Sequence, residues 1–273
     1  MRIAVVAPST PLDAELAQKV QALAAREFPA VELVISPQCF LRAGHFAGSD
    51  EVRARAFIDA ANDPAFDAIW CARGGYGSCR IAEEVIAGLA PAARDKMYLG
   101  YSDAGYLLAG LYRAGFLHLA HGPMPVDMRR EGGEGAVRRA FAWLASRSPE
   151  SLDPNIDRGL PTAAFNITVL SQLLGTPLEP DLSGHVLMLE DVAEYMYRID
   201  RSMFHITSQS SIRKAAGIRF GRCTDVLEND PEFGADAEDV VKHWCGRSGI
   251  PYLGRADIGH DAGNKVVPFG RPV

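Results

Sequence analysis

A serine in a turn of small residues, Ser102, occupies a position that suggests nucleophilic chemistry. The apolar run 97–99 ends in Gly100-Tyr101-Ser102-Asp103-Ala104, and apolar residues then recur at helical spacing from 107 to 112. A strand therefore meets a helix at this turn, as in the G-x-S-x-G nucleophile elbow, although Ala104 replaces the second glycine. Ser102 is thus a candidate nucleophile. The alternative is that Ser102 or Asp103 caps the helix.

A glycine-rich loop, Arg73-Gly74-Gly75-Tyr76-Gly77, follows another apolar run of strand length, 68–72. Glycine lets backbone amides approach an anion closely, so the loop could cradle a phosphate. It lacks the lysine and hydroxyl of a P-loop, and the G-x-G-x-x-G spacing is not met. One of its amides could instead pair with the amide of Asp103 to hold an oxyanion during acyl transfer. A tight turn that needs glycine for its backbone angles is the third alternative.

A serine nucleophile also needs a general base, and the chain has seven histidines. His121 and His260 are the first candidates, because both follow apolar runs at predicted strand ends. Sites in parallel sheets lie at the carboxyl ends of the strands. His205 and His243 fall within helical stretches, which favours a structural role for them.

Two carboxylates, Glu190 and Asp191, directly follow the apolar run 185–189. Partial burial should give such a carboxylate a paired role, for example receiving the Nδ1 proton of the base and fixing its tautomer. The alternative is a structural ion cluster with Arg198 or Arg201.

Alternating strands and helices must position these residues. Nearly all-apolar strands followed by helical periodicity predict an α/β fold whose parallel sheet is covered on both faces. The segment 146–161 is rich in Ser, Pro, Asp and Gly and has little apolar periodicity, so we predict a linker there. It would separate an N-terminal domain, 1–145, from a C-terminal domain, 162–273.

Composition restricts the possible partners. A net charge of −6 over 273 residues, with no run of Lys or Arg, argues against binding nucleic acid through phosphates. The apolar run at the N-terminus is too short for a secretory leader or a membrane span. Five cysteines without C-x-x-C spacing favour neither a disulfide framework nor a zinc site. We therefore expect a protein of the cytoplasm, with no membrane partner.

Taken together, motifs along nearly the whole chain resemble the LD-carboxypeptidase family of serine peptidases. The resemblance rests on Ala7-Pro8-Ser9, Arg73-Gly74-Gly75-Tyr76-Gly77 with Arg80, Gly100-Tyr101-Ser102-Asp103, His121-Gly122-Pro123-Met124, Leu189-Glu190-Asp191 with Glu194, Tyr197-Arg198-Ile199-Asp200-Arg201, Ile250-Pro251, Gly259-His260 and Pro268-Phe269-Gly270. It implies Ser102 as nucleophile, His260 as general acid and base, and Glu190 as the residue that orients it.

The resemblance also implies an architecture. The serine would lie in an N-terminal Rossmann-like domain, and the glutamate and histidine in a smaller, β-rich C-terminal α/β domain, with the active site in the groove between them. The expected reaction releases terminal D-alanine from a murein tetrapeptide, with an oxyanion held by the amides of Asp103 and Gly74. It needs neither metal nor cofactor, and the family leads us to expect a homodimer.

Substrate binding is predicted for residues of the glycine loop and the elbow, namely Arg73, Gly75, Tyr76, Arg80 and Tyr101. A carboxypeptidase must hold a free carboxylate, for which a guanidinium fork is suited, so Arg73 and Arg80 are candidates. Arg198 and Arg201 are less direct candidates.

Two segments depart from the family pattern. Ala163-Ala164-Phe165-Asn166 stands where Gly-Gly-Asn is usual, and Ala104-Gly105 follows the elbow where a β-branched residue and threonine are usual. Both could reshape the pocket without touching the triad. One alternative is therefore a peptidyl-nucleotide or acyl-adenylate hydrolase of the microcin self-immunity type. Another is a non-catalytic protein that binds an anionic ligand.

Overall fold

The computed structural model describes residues 1–156 and 159–270, in which strands and helices alternate. The N-terminal elements are β1 (Arg2–Val6), α1 (Ala14–Glu27), β2 (Glu32–Ile35), α2 (Asp50–Asn62), β3 (Ala68–Cys71), α3 (Ala82–Gly88), β4 (Met97–Gly100), α4 (Gly105–Arg113), β5 (Leu119–His121) and α5 (Gly133–Ser146). The C-terminal elements are β6 (Thr162–Asn166), α6 (Ile167–Leu173), β7 (Val186–Val192), α7 (Met196–Ser208), β8 (Gly217–Thr224), α8 (Ala237–Ser248), β9 (Tyr252–Arg255) and β10 (Val267–Pro268).

The larger sheet has the strand order β10-β5-β4-β3-β1-β2 within the described residues. Its pairings are parallel except that of β10, which runs antiparallel to β5. Strands β3 and β5 are buried along their whole length, as expected for strands covered on both faces. The loops that follow β3 and β4 therefore emerge at the same edge of the sheet. The predicted α/β fold is confirmed.

The smaller sheet contains four parallel strands in the order β6-β7-β8-β9 within the same ranges. Strands β6 and β8 are missing from the sequence-based prediction. Strand β6, Thr-Ala-Ala-Phe-Asn, carries small residues instead of a continuous run of large apolar ones. Strand β8 interrupts its apolar residues with Gly221, Arg219 and Arg222. Both strands acquire their conformation from pairing with neighbours, which local composition does not reveal.

The two halves of the chain are joined by more than the connecting segment. Strand β10 returns to the larger sheet beside β5, and the Thr162 amide donates to the carbonyl of Gly270 at 2.8 Å. The predicted linker is itself held in place, since Ser151 and Asp153 are buried and Leu152 bridges to Val266. The boundaries 1–145, 146–161 and 162–273 remain a prediction, of which 157–158 and 271–273 lie outside the described residues.

No helix in the described part of the chain is long and apolar enough to cross a membrane.

Candidate active site

The elbow at Ser102 holds that residue in an unusual backbone conformation. Ser102 directly follows β4 and Tyr101, and its φ is +59°, in the left-handed region that non-glycine residues rarely adopt. A Cβ at Gly100 would lie 3.0 Å from the Cβ atoms of both Ala104 and Cys71, so glycine permits the bend. Strain of this kind costs about 1–3 kcal/mol and occurs preferentially at functional sites. The geometry therefore makes Ser102 a candidate for function.

Hydrogen bonds to Asp103 hold the elbow in place. Its buried carboxylate accepts hydrogen bonds from the Ser9 hydroxyl and from the Ser78 amide, the latter at 2.8 Å. Its carbonyl oxygen accepts a hydrogen bond from the Ser78 hydroxyl. The carboxylate thus ties the elbow to the loop after β1 and to the glycine loop, instead of capping α4 as the alternative prediction supposed.

The glycine loop packs directly on the nucleophile candidate. A Cβ at Gly74 would lie 2.9 Å from both the Cβ and the Oγ of Ser102, and 3.5 Å from the Asp103 amide nitrogen. The Thr10 hydroxyl holds the loop by donating to the Gly74 carbonyl at 2.6 Å. Gly75 has a φ of +108°, so the loop is also a turn that requires glycine. The tight turn that the sequence offered as one alternative is therefore present, and the same loop packs closely on Ser102.

A buried pair, His260 and Glu190, contacts the elbow through the ring of Tyr101, which lies 4.7 Å from the imidazole between ring centroids. The Nδ1 of His260 lies 2.6 Å from the Oε2 of Glu190, and the two residues are 7% and 0% exposed. Among the described residues, neither the Nε2 of His260 nor the Oε1 of Glu190 has a hydrogen-bond partner. The pair thus leaves the histidine's second nitrogen free for proton transfer.

The negative charge of Glu190 also affects the pKa of His260. Burial alone would lower the pKa of His260, but the nearby negative charge of Glu190 and its hydrogen bond outweigh burial, so the pKa lies above its ordinary value. The loop that carries His260 is anchored by Arg222, whose guanidinium binds the carboxylates of Asp257, at 2.5 Å, and Asp261. Glu190 therefore orients the imidazole, and ion pairs hold the loop that carries it.

Strand β7 separates the two adjacent carboxylates. Because side chains alternate across a strand, Glu190 meets His260 while Asp191 turns away. Asp191 accepts hydrogen bonds from the Asn166 side chain at 2.7 Å and from the amide and hydroxyl of Thr168 at 3.0 Å. Burial, with the neighbouring charge of Glu190, raises the pKa of Asp191 to about 6. The ion cluster predicted as the alternative is absent among the described residues: neither carboxylate pairs with Arg198 or Arg201, and Arg198 pairs with Glu194 at 3.5 Å.

Tyr101 requires a correction, because the structure does not place it where a substrate could reach it. Its side chain is 1% exposed, and its hydroxyl donates to the Oδ1 of Asp127 at 2.7 Å. The centroid of its ring lies 4.7 Å from that of the His260 imidazole. Tyr101 therefore packs against the histidine across the two halves of the chain, and we withdraw its predicted contact with substrate.

The other predicted substrate-binding residues lie around the glycine loop. Tyr76 is half exposed and packs beside His45 and Phe46. Arg73 is partly buried, and its Nη1 donates to the Pro11 carbonyl at 3.1 Å. Arg80 is exposed and pairs with Asp50 at 2.7 Å. These residues and Gly75 stay predictions.

The structure also shows the surroundings of the other residues that the sequence offered as carboxylate binders or as the general base. Arg198 and Arg201 lie on α7 over the rings of Tyr195 and Tyr197, at 5.8 and 5.5 Å. His121, the other candidate base, is buried, and burial lowers its pKa to about 4. It therefore stays neutral near pH 7.

Sequence reasoning missed a pair beside the site, Asp127 and Arg130. The Arg130 Nε donates to the Oδ1 of Asp127 at 2.9 Å, the same oxygen that accepts from Tyr101. The two residues are three apart in the chain, which is the spacing of an ordinary ion pair on a protein surface. The sequence signal that could have drawn attention to them is the pair of arginines that comes shortly after His121-Gly122-Pro123. Among the described residues, no group of three or more His, Cys, Asp or Glu side chains could hold a metal ion.

The sequence matches two family models. Residues 3–122 match the LD-carboxypeptidase N-terminal domain, and residues 162–273 match the LD-carboxypeptidase C-terminal domain. The murein tetrapeptide carboxypeptidase of Pseudomonas aeruginosa is 28% identical over 293 residues, covering 99% of this chain and 91% of the relative.

Two solved structures share the fold. The muramoyltetrapeptide carboxypeptidase of Oxalobacter formigenes superposes with a TM-score of 0.81 at 24% identity, covering 99% of this chain and 93% of the other. The microcin C7 self-immunity protein MccF, in complex with aspartyl sulfamoyl adenosine, superposes with a TM-score of 0.80 at 17% identity, covering 98% and 91%.

Proposed function

Because the chain belongs to the LD-carboxypeptidase family, we propose that it hydrolyses the L,D amide bond that releases terminal D-alanine from murein tetrapeptides. The observation that carries this proposal is the buried hydrogen bond of 2.6 Å between His260 and Glu190. It is joined to a serine held at positive φ through the neighbouring Tyr101, whose ring packs on that of His260. The name of the Pseudomonas aeruginosa relative supports a murein peptide as the substrate.

In the proposed mechanism, the Nε2 of His260 takes the proton of Ser102 as its Oγ attacks the carbonyl carbon. Glu190 accepts the hydrogen bond from Nδ1 and stabilises the imidazolium that forms. The amides of Asp103 and Gly74 hold the oxyanion, for which the removal of one donor costs about 10²- to 10³-fold in kcat. The imidazolium then protonates the leaving amine of D-alanine.

Hydrolysis of the acyl-enzyme completes the cycle. A water molecule enters after the amino acid leaves, and His260 removes its proton as the water attacks the ester carbonyl. The proton returns to Ser102 when the ester bond breaks. The unpartnered Nε2 of His260 among the described residues supports these transfers, since no other side chain competes for it there.

The test is release of D-alanine from L-Ala-γ-D-Glu-meso-diaminopimelyl-D-Ala by wild type, Ser102→Ala and a control, Ser146→Ala. Ser146 is exposed at the end of α5, so the control should match wild type. We expect Ser102→Ala to lose about 10⁴-fold or more in kcat, because nucleophile and base act as a unit. Folded wild-type protein that releases no D-alanine would contradict the proposal.

Two rival functions are decided in the same experiment. The likeness to MccF shows a shared fold, so aspartyl sulfamoyl adenosine is offered as a second substrate. Hydrolysis of that compound alone would support the nucleotide-directed alternative. A serine-reactive probe that labels Ser102 would exclude the non-catalytic binding protein.

We further propose that the protein acts in the cytoplasm as a homodimer. All five cysteines carry free thiols, which supports a reducing compartment. Cell fractionation tests the location. Sedimentation of the purified protein tests the dimer, and a mass near 29.5 kDa would contradict it.

A further inference from the structure

One arginine beside the catalytic histidine has unused donors. The side chain of Arg130 is 20% exposed, so it is partly buried yet reachable by a ligand. Its Nε binds Asp127 and its guanidinium approaches the Tyr101 hydroxyl, whereas neither Nη group donates to a carboxylate or a carbonyl among the described residues. A partly buried guanidinium with a free fork is suited to a carboxylate, which accepts two parallel hydrogen bonds.

A short series of contacts connects Arg130 to the histidine. The oxygen of Asp127 that accepts from Arg130 at 2.9 Å also accepts from the Tyr101 hydroxyl at 2.7 Å. The Tyr101 ring lies 4.7 Å, centroid to centroid, from that of His260. Burial would lower the pKa of Arg130, but Tyr101 and Asp127 outweigh it, so the guanidinium stays charged. The positive charge of Arg130 is therefore part of the same group of contacting residues as His260.

Other arginines near the site are already occupied. Arg222 binds the carboxylates of Asp257 and Asp261, and Arg139 binds the carbonyls of Ala262 and Asn264. Arg53 is 1% exposed and donates to backbone carbonyls of the loops after β1 and β3. Arg73 remains as a competitor, but it lies in sequence next to Gly74, on the oxyanion side.

The chemistry of the reaction favours the histidine side. In a carboxypeptidase substrate, one carbon atom joins the free carboxylate to the scissile nitrogen. His260 must protonate that nitrogen, so a cation that holds the carboxylate belongs beside His260. We propose that Arg130 binds the terminal carboxylate of the amino acid that is released. This inference rests on the proposed function and assigns the residue that restricts it to free carboxyl termini.

The experiment compares the tetrapeptide acid with the same peptide as a C-terminal amide, through kcat/KM. Wild type should prefer the acid by roughly 30- to 100-fold, because a hydrogen-bonded charge is lost in the amide. In Arg130→Gln, hydrolysis of the acid should fall by about that factor while hydrolysis of the amide changes little. Arg130→Lys should restore part of the preference, since a point charge replaces the fork.

Two matched variants make the test specific. Arg129→Gln removes the same charge from an exposed neighbour and should keep the preference for the acid. Arg73→Gln tests the competing cation. Loss of the preference in Arg73→Gln but not in Arg130→Gln would overturn the proposal, as would an equal fall of acid and amide hydrolysis in Arg130→Gln.

A binding measurement separates this inference from the proposed function. Calorimetry with N-acetyl-D-alanine probes the carboxylate site without turnover. Binding by wild type that disappears in Arg130→Gln, but not in Arg129→Gln, would support the site even if neither peptide is cleaved. Equal binding by wild type and Arg130→Gln would overturn the inference, whatever the result with the tetrapeptide.

Discussion

The two sides of the candidate site differ in how their polar atoms are satisfied. On the nucleophile side, the Asp103 carboxylate accepts two hydrogen bonds, its carbonyl accepts a third, and Thr10 holds the glycine loop. On the histidine side, the Nε2 of His260 and the Oε1 of Glu190 are buried without a hydrogen-bond partner among the described residues. The nucleophile side is thus held together by several hydrogen bonds, whereas the reactive histidine and its carboxylate partner retain free hydrogen-bonding capacity.

This difference corresponds to what each side would have to do. A nucleophile at positive φ keeps its position only if the surrounding structure holds it, so the elbow and the glycine loop are tied together. A general base must exchange protons with serine, leaving amine and water, so its reactive nitrogen has to stay uncommitted. A buried polar atom without a partner costs about 1–3 kcal/mol, a cost typical of functional sites.

Apart from loss of the nucleophile itself, the largest effect should follow from removing the charge on the histidine side. Glu190→Gln keeps the shape but takes away the negative charge that raises the pKa of His260, and its amide nitrogen cannot accept the Nδ1 proton. We expect kcat/KM for D-alanine release to fall by about 10⁴-fold, as for the analogous change in a serine protease triad. Steady-state kinetics with the tetrapeptide would measure this.

The pH profile of Glu190→Gln tests whether the charge of Glu190 raises the pKa of His260. In wild type, kcat/KM should fall as pH drops through the raised pKa of His260, because protonated His260 cannot act as base. In Glu190→Gln, the two effects of Glu190 that raise this pKa are lost and burial, the largest remaining cause, lowers it, so this acid limb should move to lower pH. The control is Asp191→Asn, on the opposite face of β7, which should keep the wild-type limb. An unmoved limb in Glu190→Gln would contradict the role of Glu190.

A smaller loss should follow from crowding the nucleophile side. In Gly74→Ala, the new Cβ would lie 2.9 Å from the Cβ and Oγ of Ser102, so either the serine or the loop must shift. We expect kcat to fall by about 10²-fold, the size of losing one oxyanion donor, while the protein stays folded. Gly246→Ala is the control, because a Cβ there meets no described atom within 4 Å. Activity close to wild type in Gly74→Ala would show that the glycine is not required for close approach.

Local sequence predicted the parts of this site that depend on one turn. The apolar runs before Ser102 and Gly74 each end in glycine-containing turns, and both turns lie at strand ends in the structure. The α/β class followed from the same alternation. His260 and Glu190 were distinguished from their competitors mainly by family resemblance. Their 2.6 Å contact joins β7 to the loop between β9 and β10, across a separation of 70 residues in the chain.

What the residues alone left open is decided by tertiary structure. Glu190 and Asp191 are adjacent and chemically alike, and only the alternation along β7 assigns one to His260 and the other to Asn166. Tyr101 was predicted to face substrate, but the packing of its ring on His260 buries it. Arg130 was missed, because its significance lies in its connection through Asp127 and Tyr101 to His260, which the sequence does not place nearby.

The smallest effect is expected at Tyr76, a loosely held side chain on the otherwise tightly bonded nucleophile side. Tyr76 is 50% exposed and follows Gly75 in the loop that packs on Ser102. If its ring covers bound peptide, Tyr76→Ala should raise KM by about 5-fold with little change in kcat, since an aromatic contact contributes about 0.5–1.5 kcal/mol. Tyr76→Phe keeps the ring and should keep the wild-type KM. A fall in kcat with unchanged KM would instead mean that the ring supports the elbow. In that case even the exposed Tyr76 would serve to hold the nucleophile in position.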